Sequence, residues 1–461
     1  MAIRAAVGVL VGLTGFDSAL IERSLTEAFT GRYPGERGEE LAAANIKVLN
    51  AAIEFGARFQ DEFDYRLESR PGGEDRVLLN GNVAIGMGAI AGGCRFISGY
   101  PMTPATTVLE FLAAHQNDYG IVIKQTEDEI AALLTAIGGA HAGARAMTAT
   151  SGDGFCLIVE ALGLAGASEA GVVIVNAQRA GPSTGMPTRS EQGDLDFVLS
   201  ASHGEFPRII LAPGSVEECF TADHRAFNLA EKYQTPVIIM TDLYQAFALK
   251  TVARADFDFA GVSIDRGKIV SDEELDALSP DKMYVRHKLA EDGVSTHAIP
   301  GHPRGVYMTT GDKHTKRGFI TESQSVRIEQ MDKRMQKLET ARADILPPEL
   351  HGLADADITL VRWGSTRGAI REAVDRLNAD GQRANSVHFA DVWPLPEGTV
   401  AALESADYLV AAEQNFSGQF AGILRRATGI NCDHRILKYD SKQVTPDDIV
   451  AAVAQEVSVR V

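Results

Sequence analysis

The sequence predicts an α/β protein: a doubly wound, mostly parallel sheet, with a second, smaller α/β unit behind it and helices in front. Three observations carry this. From Val77 onward, short apolar runs alternate with helix-length stretches, the pattern of βαβ units. The run Val172-Val173-Ile174-Val175 is apolar without alternation, as strands buried on both faces are. The alternation restarts at Asp357 after about a hundred less regular residues.

The elements follow in order. Residues 1–60 read as helices: from Leu41 to Phe59, the residues Ile46, Leu49, Ala52, Ile53 and Phe59 recur near the 3.6 period. Residues 61–76 are polar and contain Pro71-Gly72-Gly73, a linker signature. Val77-Leu78-Leu79 is a short strand, and Gly81–Gly93 a helix whose Gly and Ala content suits close packing. Arg95–Gly99 runs into Tyr100-Pro101-Met102-Thr103-Pro104, a proline-bracketed turn before the helix Thr106–Ala114. Strand Gly120–Gln125 precedes helix Asp128–His141, and strand Arg145–Thr150 precedes helix Phe155–Ala167. Gly171–Asn176, Arg208–Leu211 and Pro236–Met240 are further strands. Ligands in such sheets bind at the carboxyl ends of the strands.

Between residues 250 and 350, Arg327–Ala343 is a charged amphipathic helix, and Glu291–Gly311 reads as a segment draped over a domain or an interface. Beyond Asp357, the strands Ile358–Val361, Ser386–Phe389, Tyr408–Ala411 and Ile436–Tyr439 accompany the helix Arg367–Leu377. Thr445, Pro446 and Asp448 supply the cap, the N1 proline and the first-turn acid of the last helix.

A chain of 461 residues has room for two to four domains at roughly 150 residues each. Hydrophobic residues make up 45 % and charged residues 23 %, which excludes disorder as the main state. With 44 Lys+Arg against 62 Asp+Glu the formal charge is −18, and no basic cluster offers a nucleic-acid face. The four cysteines, Cys94, Cys156, Cys219 and Cys432, are scattered. No disulfide framework and no C-x-x-C metal or iron–sulfur site follows from them. The apolar stretch Ala5–Leu13 is too short to span a bilayer. As a signal peptide it has a thin n-region and no clean cleavage site, so a packed helix in a cytoplasmic protein is the better reading.

The motifs each admit a plain reading. Gly86-Met87-Gly88-Ala89-Ile90-Ala91-Gly92 resembles a dinucleotide fingerprint, but its helix starts a turn earlier, which favours small-residue packing. Gly152-Asp153-Gly154 with Asn176 is either a Mg²⁺–diphosphate turn, for which the gap is short, or a tight turn after a strand. Glu127-Asp128-Glu129 opens a helix, where acids suit the dipole; a cofactor role needs one of them buried beside a ring nitrogen. Arg179, heading Arg179-Ala180-Gly181-Pro182-Ser183-Thr184-Gly185 at a strand's carboxyl end, suits a carboxylate better than a bare surface loop.

Seven segments in order, covering roughly residues 77–430, resemble the alpha subunit of 2-oxoacid:ferredoxin oxidoreductases. They are Gly81–Gly86 with Gly99–Pro104, Gln125–Ile130, Thr148–Gly152, Gln178–Gly185, Glu291–Ser295, Asp391–Pro396 and Glu413–Gln419. The wording is nearest the 2-oxoglutarate branch. The resemblance implies a pyrimidine-binding thiamine-diphosphate domain over 76–250, a connector over 251–350 and a transketolase C-terminal-like α/β domain over 351–461. It also implies a helical remnant of an N-terminal, gamma-type domain over 1–75. Long alpha subunits begin with a separate Gly-rich domain of which Ala5–Phe29 resembles the last helix. That departure leaves the coenzyme A site open, and with it the choice between a fragment, a mis-started gene product and a naturally shortened form.

The resemblance also implies the chemistry. Thiamine diphosphate is shared with a beta subunit that carries Mg²⁺, the diphosphate site and a [4Fe–4S] cluster. Coenzyme A captures the acyl group and ferredoxin takes the electrons, in an (alpha-beta)2 heterotetramer with neither nucleic acid nor membrane. No metal site is expected on this chain, and Asp153 stands where relatives commonly carry Pro. Glu127 is the carboxylate expected at N1′ of the aminopyrimidine, with Glu129 as the alternative. Tyr100 and Pro101 would flank the cofactor. Thr103 would hydrogen-bond the substrate's carboxylate or carbonyl, Arg179 would pair with a substrate carboxylate, and Arg189 with the second carboxylate of 2-oxoglutarate. The implied reaction turns 2-oxoglutarate and coenzyme A into succinyl-coenzyme A and CO₂. The alternatives are a pyruvate or branched-chain enzyme, or a truncated non-catalytic subunit.

Overall fold

The computed structural model describes residues 2–68, 75–279 and 282–460; the linker Pro71-Gly72-Gly73 lies outside them. The chain divides into two compact units, Met1–Arg76 and Val77–Val461.

The first unit is helical: Ala2–Thr14, Ser18–Arg32 and Glu36–Ala57. Its first and third helices meet backbone to backbone. A Cβ on Gly8 would strike Leu49 O and Ala52 Cβ, and one on Gly12 would strike Ile53 O. The apolar stretch Ala5–Leu13 is thus one half of a close helix pair, made possible by glycine. No helix among the described residues is long and apolar enough to cross a membrane.

The second unit holds two main sheets. Its strands are β1 (Arg76–Leu79), β2 (Phe96–Gly99), β3 (Val122–Gln125), β4 (Ala146–Thr150), β5 (Val173–Gln178), β6 (Ile209–Leu211), β7 (Val237–Asp242) and β8 (Lys250–Ala253). After the connector come β9 (Glu349–Gly352), β10 (Ile358–Trp363), β11 (Ala384–Phe389), β12 (Asp391–Trp393), β13 (Leu409–Glu413) and β14 (His434–Leu437). The larger sheet has the order β12-β6-β7-β5-β4-β2-β3. Its pairs are parallel except for β12 on β6. The smaller sheet runs β14-β13-β10-β11-β9, with only the edge strand β9 antiparallel.

The apolar runs become strands because both faces are covered. Val173, Ile174, Val175, Ile238 and Ile239 are fully buried between helices. Polar caps start the helices: Asn80 accepts from Val83 N, Asp128 from Ala131 N and Ser215 from Glu218 N. The glycines of Gly86–Gly92 do pack: Gly86 faces the Phe111 ring, Gly88 the backbone of Phe220, and Gly92 His224.

Two long-range features tie this unit together. The segment Asp391–Trp393 leaves the smaller sheet's neighbourhood and pairs with β6 of the larger one. Arg225 clamps Asp391 through both Nη atoms, at 3.0 and 2.8 Å. The connector is fastened by a buried ion cluster. Glu169, at φ 58 behind the helix Val159–Ser168, accepts from Lys333 Nζ at 2.7 Å and Lys337 Nζ at 2.6 Å, with His287 Nδ1 at 2.8 Å. Burial opposes the charge on Glu169, but Lys337 and Lys333 outweigh it and hold the carboxyl well below the usual carboxylate range. Gly293, at φ 78, lets the Glu291–Ser295 segment approach the backbone of the helix Gln324–Ala341. The draped segment is therefore a docking strip for that helix.

Candidate active site

In the larger sheet β2 lies between β3 and β4, and the chain leaves β2 toward β3 before returning to β4. The crevice above that reversal is where an open parallel sheet receives its ligand. Four connections end there: Tyr100–Pro104 after β2, Thr126–Glu129 after β3, Ser151–Gly154 after β4, and Arg179 after β5. A cavity of about 670 Å³ opens among the connections after β2, β4 and β5, lined by residues that include Met102, Asp153, Cys156, Arg179, Asp194 and Phe197.

The structure separates the two candidate carboxylates. Glu127 is exposed, whereas Glu129 is buried, with Oε1 shielded and without a partner. The reason is local. Thr126 N donates to Gly99 O and fixes the end of β3 against β2. Asp128 turns back as the cap, so Glu129 becomes the first helical residue and faces inward. Burial pushes the Glu129 carboxyl up from its ordinary range, and Asp153 and Asp128 add to the push. Gly154 makes the space, since a Cβ there would lie 2.5 Å from Glu129 Oε1 and collide with Thr150 Oγ1. Gly154→Ala is thus expected to push Glu129 aside and lower turnover at least about tenfold, read by steady-state kinetics on a variant that keeps its circular dichroism spectrum.

Arg179 is nearly buried and points into the cavity. Its Nη1 donates to Thr103 O at 2.8 Å, and its Nη2 pairs with Asp153 Oδ2 at 2.6 Å. Its Nε and Asp153 Oδ1 are buried without partners. Behind them Asp194 Oδ2 accepts from Asn176 Nδ2 at 3.1 Å, and Asp194 N donates to Gln178 Oε1. Burial pushes the Asp194 carboxyl up to about 6, with Glu191 and Asp153 adding to it. Thr103 reaches this cluster through its carbonyl. Tyr100 and Pro101 are exposed at the end of β2. Arg189 is also exposed, and it is not among the residues lining the cavity.

Comparison with known proteins gives the family. Residues 87–333 match the model described as pyruvate flavodoxin/ferredoxin oxidoreductase, thiamine diphosphate-binding. The 2-oxoacid:ferredoxin oxidoreductase subunit alpha of Saccharolobus solfataricus is 36 % identical over 98 % of this chain and 71 % of its own length. The chain is an alpha subunit of the 2-oxoacid:ferredoxin oxidoreductase family. The 2-oxoglutarate synthase subunit KorA of Methanothermobacter marburgensis is 33 % identical over 82 % of this chain and 98 % of its own length. A solved 2-oxoglutarate:ferredoxin oxidoreductase from Magnetococcus marinus, with 2-oxoglutarate, coenzyme A and succinyl-CoA bound, superposes with a TM-score of 0.89 at 32 % identity. That superposition covers 98 % of this chain and 77 % of that one. The chain spans 63 % of the Sulfurisphaera tokodaii relative.

As an alpha subunit of this family, the chain has a site that fits the pyrimidine end of thiamine diphosphate. Glu129 Oε1, Ser151 Oγ and Asn176 Oδ1 are buried without partners on the connections after β3 and β4 and on β5. Unpaired buried polar atoms are costly unless a ligand satisfies them. The smaller sheet's motif Glu413–Gln419 holds the loop that backs the cavity. Glu413 is buried and accepts from Trp363 Nε1, Asn415 Nδ2, Phe420 N and Ala421 N. The following residues then reach across. Gln192 N donates to Gln414 O, Asn415 Nδ2 to Gln192 O, and Gln419 Nε2 to Gly193 O. The sequence offers Asp153 in a Mg²⁺–diphosphate turn or a tight turn, not as a partner of Arg179, and it offers no sign of Asp194 or Cys156. The one signal for Asp153 and Cys156 is position, just beyond a strand that the alternation locates.

Proposed function

We propose that this chain is the catalytic alpha subunit of a 2-oxoglutarate:ferredoxin oxidoreductase. It would act with a beta subunit bearing the diphosphate site, Mg²⁺ and a [4Fe–4S] cluster, in an (alpha-beta)2 assembly of the cytoplasm. The observation that carries the reading is the orphaned, buried carboxyl of Glu129, packed against Gly154 next to Asp153, the partner of Arg179. The KorA relatives and the Magnetococcus marinus structure support the 2-oxoglutarate branch and coenzyme A as co-substrate.

When bound, thiamine diphosphate supplies the electron sink for cleaving the bond beside the 2-oxo group. The chain's own residues position and polarise. Glu129, its carboxyl raised by burial, holds a proton at Oε1 for the pyrimidine N1′. Arg179 offers its guanidinium to the substrate's C1 carboxylate, and Thr103 O fixes the arginine's angle. Met102, Leu157 and Phe197 supply the apolar part of the cavity wall.

One observation favours a second reading. The cavity wall carries the carboxylates Asp153, Glu191 and Asp194, and Arg179 is the cation among its lining residues. Among the described residues a second substrate carboxylate finds no further cation on that lining, so a pyruvate or branched-chain enzyme is the alternative unless the beta subunit provides one. The purified complex decides. Viologen reduction dependent on thiamine diphosphate and coenzyme A is expected, with kcat/KM for 2-oxoglutarate at least about tenfold above pyruvate and branched-chain acids. A reversed ratio selects the second reading. A complex that reduces viologen with no 2-oxoacid overturns both and leaves a non-catalytic subunit.

A further inference from the structure

Arg179 already holds an anion. Asp153 Oδ2 sits 2.6 Å from Nη2, both side chains are largely buried, and Thr103 O takes Nη1. A carboxylate engages a guanidinium best through two parallel N–H groups on one edge. On the edge formed by Nε and Nη2, Nε is buried and unpaired while Nη2 is taken by Asp153. Nη2 carries two N–H groups and Asp153 holds one of them, so an incoming carboxylate competes with Asp153 for Nη2. Asp153 lies in the first turn of the helix Gly152–Leu157. An acid is favoured there on dipole grounds without any arginine, so its aim at Arg179 calls for a separate explanation. The surroundings add weight: Asp194 and Glu191 share the wall, so the pair stands among carboxylates rather than among spare cations.

We propose that Asp153 is a specificity-determining residue: an internal carboxylate that occupies Arg179 in the ligand-free chain and competes there with a substrate carboxylate. The proposal rests on the reading of Arg179 as the substrate's anchor. It makes Asp153 a brake on carboxylate affinity, set by the difference between the internal pair and the pair with the ligand. Only ligands that bring a strong two-pronged carboxylate overcome it. A neutral or singly hydrogen-bonding 2-oxo compound leaves Asp153 in place.

The alternative is that Asp153 only positions the arginine, and the two roles predict opposite signs. Calorimetric titration of the purified full chain with oxalate, a two-pronged carboxylate probe, needs no turnover. Asp153→Asn is expected to tighten oxalate binding about tenfold, while Asp153→Glu restores the wild-type value. In an Arg179→Gln background the Asp153→Asn change is expected to have no effect. In the complex with the beta subunit, Asp153→Asn is expected to lower KM for 2-oxoacids by a similar factor. Asp153→Ser guards against a folding defect peculiar to Asn. Unchanged or weaker oxalate binding in both Asp153→Asn and Asp153→Ser would overturn the proposal. A wild-type complex inactive on every 2-oxoacid would instead sink the functional reading, and the oxalate titration would still decide the role of Asp153.

Discussion

Glu129→Gln is expected to cut the turnover of the alpha–beta complex by about 100-fold or more, the scale of a lost proton-holding group. Gln keeps the shape of Glu but cannot hold a proton at Oε1. The contrasting variant is Glu127→Gln, on an exposed side chain two residues away, where the loss should be small. Stability should move the other way. Burial raises the folded-state pKa of Glu129 above its unfolded value. The carboxyl therefore supports the fold below the ordinary carboxylate pKa and loses that support as pH rises through the raised value. At neutral pH the uncharged Gln removes this penalty, so the melting temperature of Glu129→Gln should equal or exceed that of the parent. Viologen kinetics and thermal melts at neutral pH check both halves. Full activity in Glu129→Gln together with a collapse in Glu127→Gln would return the role to Glu127.

The largest stability effect is expected at Glu169. Glu169→Gln leaves Lys333 and Lys337, both buried, without their shared counter-charge. Breaking a buried pair from one side costs about 3–5 kcal/mol, measured here as a fall in the denaturant midpoint. Replacing Glu169→Leu, Lys333→Met and Lys337→Met together should recover part of that loss, because both lysine charges leave with their counter-charge while buried Arg286 keeps Gln234 Oε1 and Glu169 O. The pH dependence has a definite sign. The folded-state pKa of Glu169 lies below its unfolded value, so its contribution is present above the ordinary carboxylate pKa and is lost as pH falls through the depressed value. The acid limb of the stability profile should flatten in Glu169→Gln. The damage should appear first in the connector, as faster proteolysis within residues 254–345. A Glu169→Gln protein with the parent's midpoint would show that the cluster does not hold the connector.

Much of this protein is legible in its sequence, because periodicity is local. The run Val172–Val175 announces a two-sided buried strand, and it is one. The residues beyond Gly99, Gln125, Thr150 and Asn176 fall at strand ends by the same alternation, which is why Glu127, Glu129, Asp153 and Arg179 stand out in one dimension; Thr103 is named by the resemblance alone. Two details escape such reading for physical reasons. Helix Phe155–Ala167 is in fact two helices, Gly152–Leu157 and Val159–Ser168, since Ile158 leaves helical geometry without a Gly or Pro to announce it. Which of Glu127 and Glu129 is buried turns on which side chain the Asp128 cap rotates inward, and two acids on one turn look alike in a linear string.

The class of fold, the order of its elements, the family and the strand ends that bear function are all written in the sequence, because they rest on patterns within a few residues or on ordered motifs. Which groups are buried, and whom they meet, was settled by packing in three dimensions. Packing turned Glu129 inward, carried Asp391–Trp393 to the edge of the larger sheet, gathered Lys333 and Lys337 on Glu169, and set Asp153 against Arg179. The reason is that desolvation and charge pairing are properties of neighbours in space. Glu169 and Lys333 are 164 positions apart in the chain, and Arg225 and Asp391 are 166 apart, distances at which no local pattern can announce a partner.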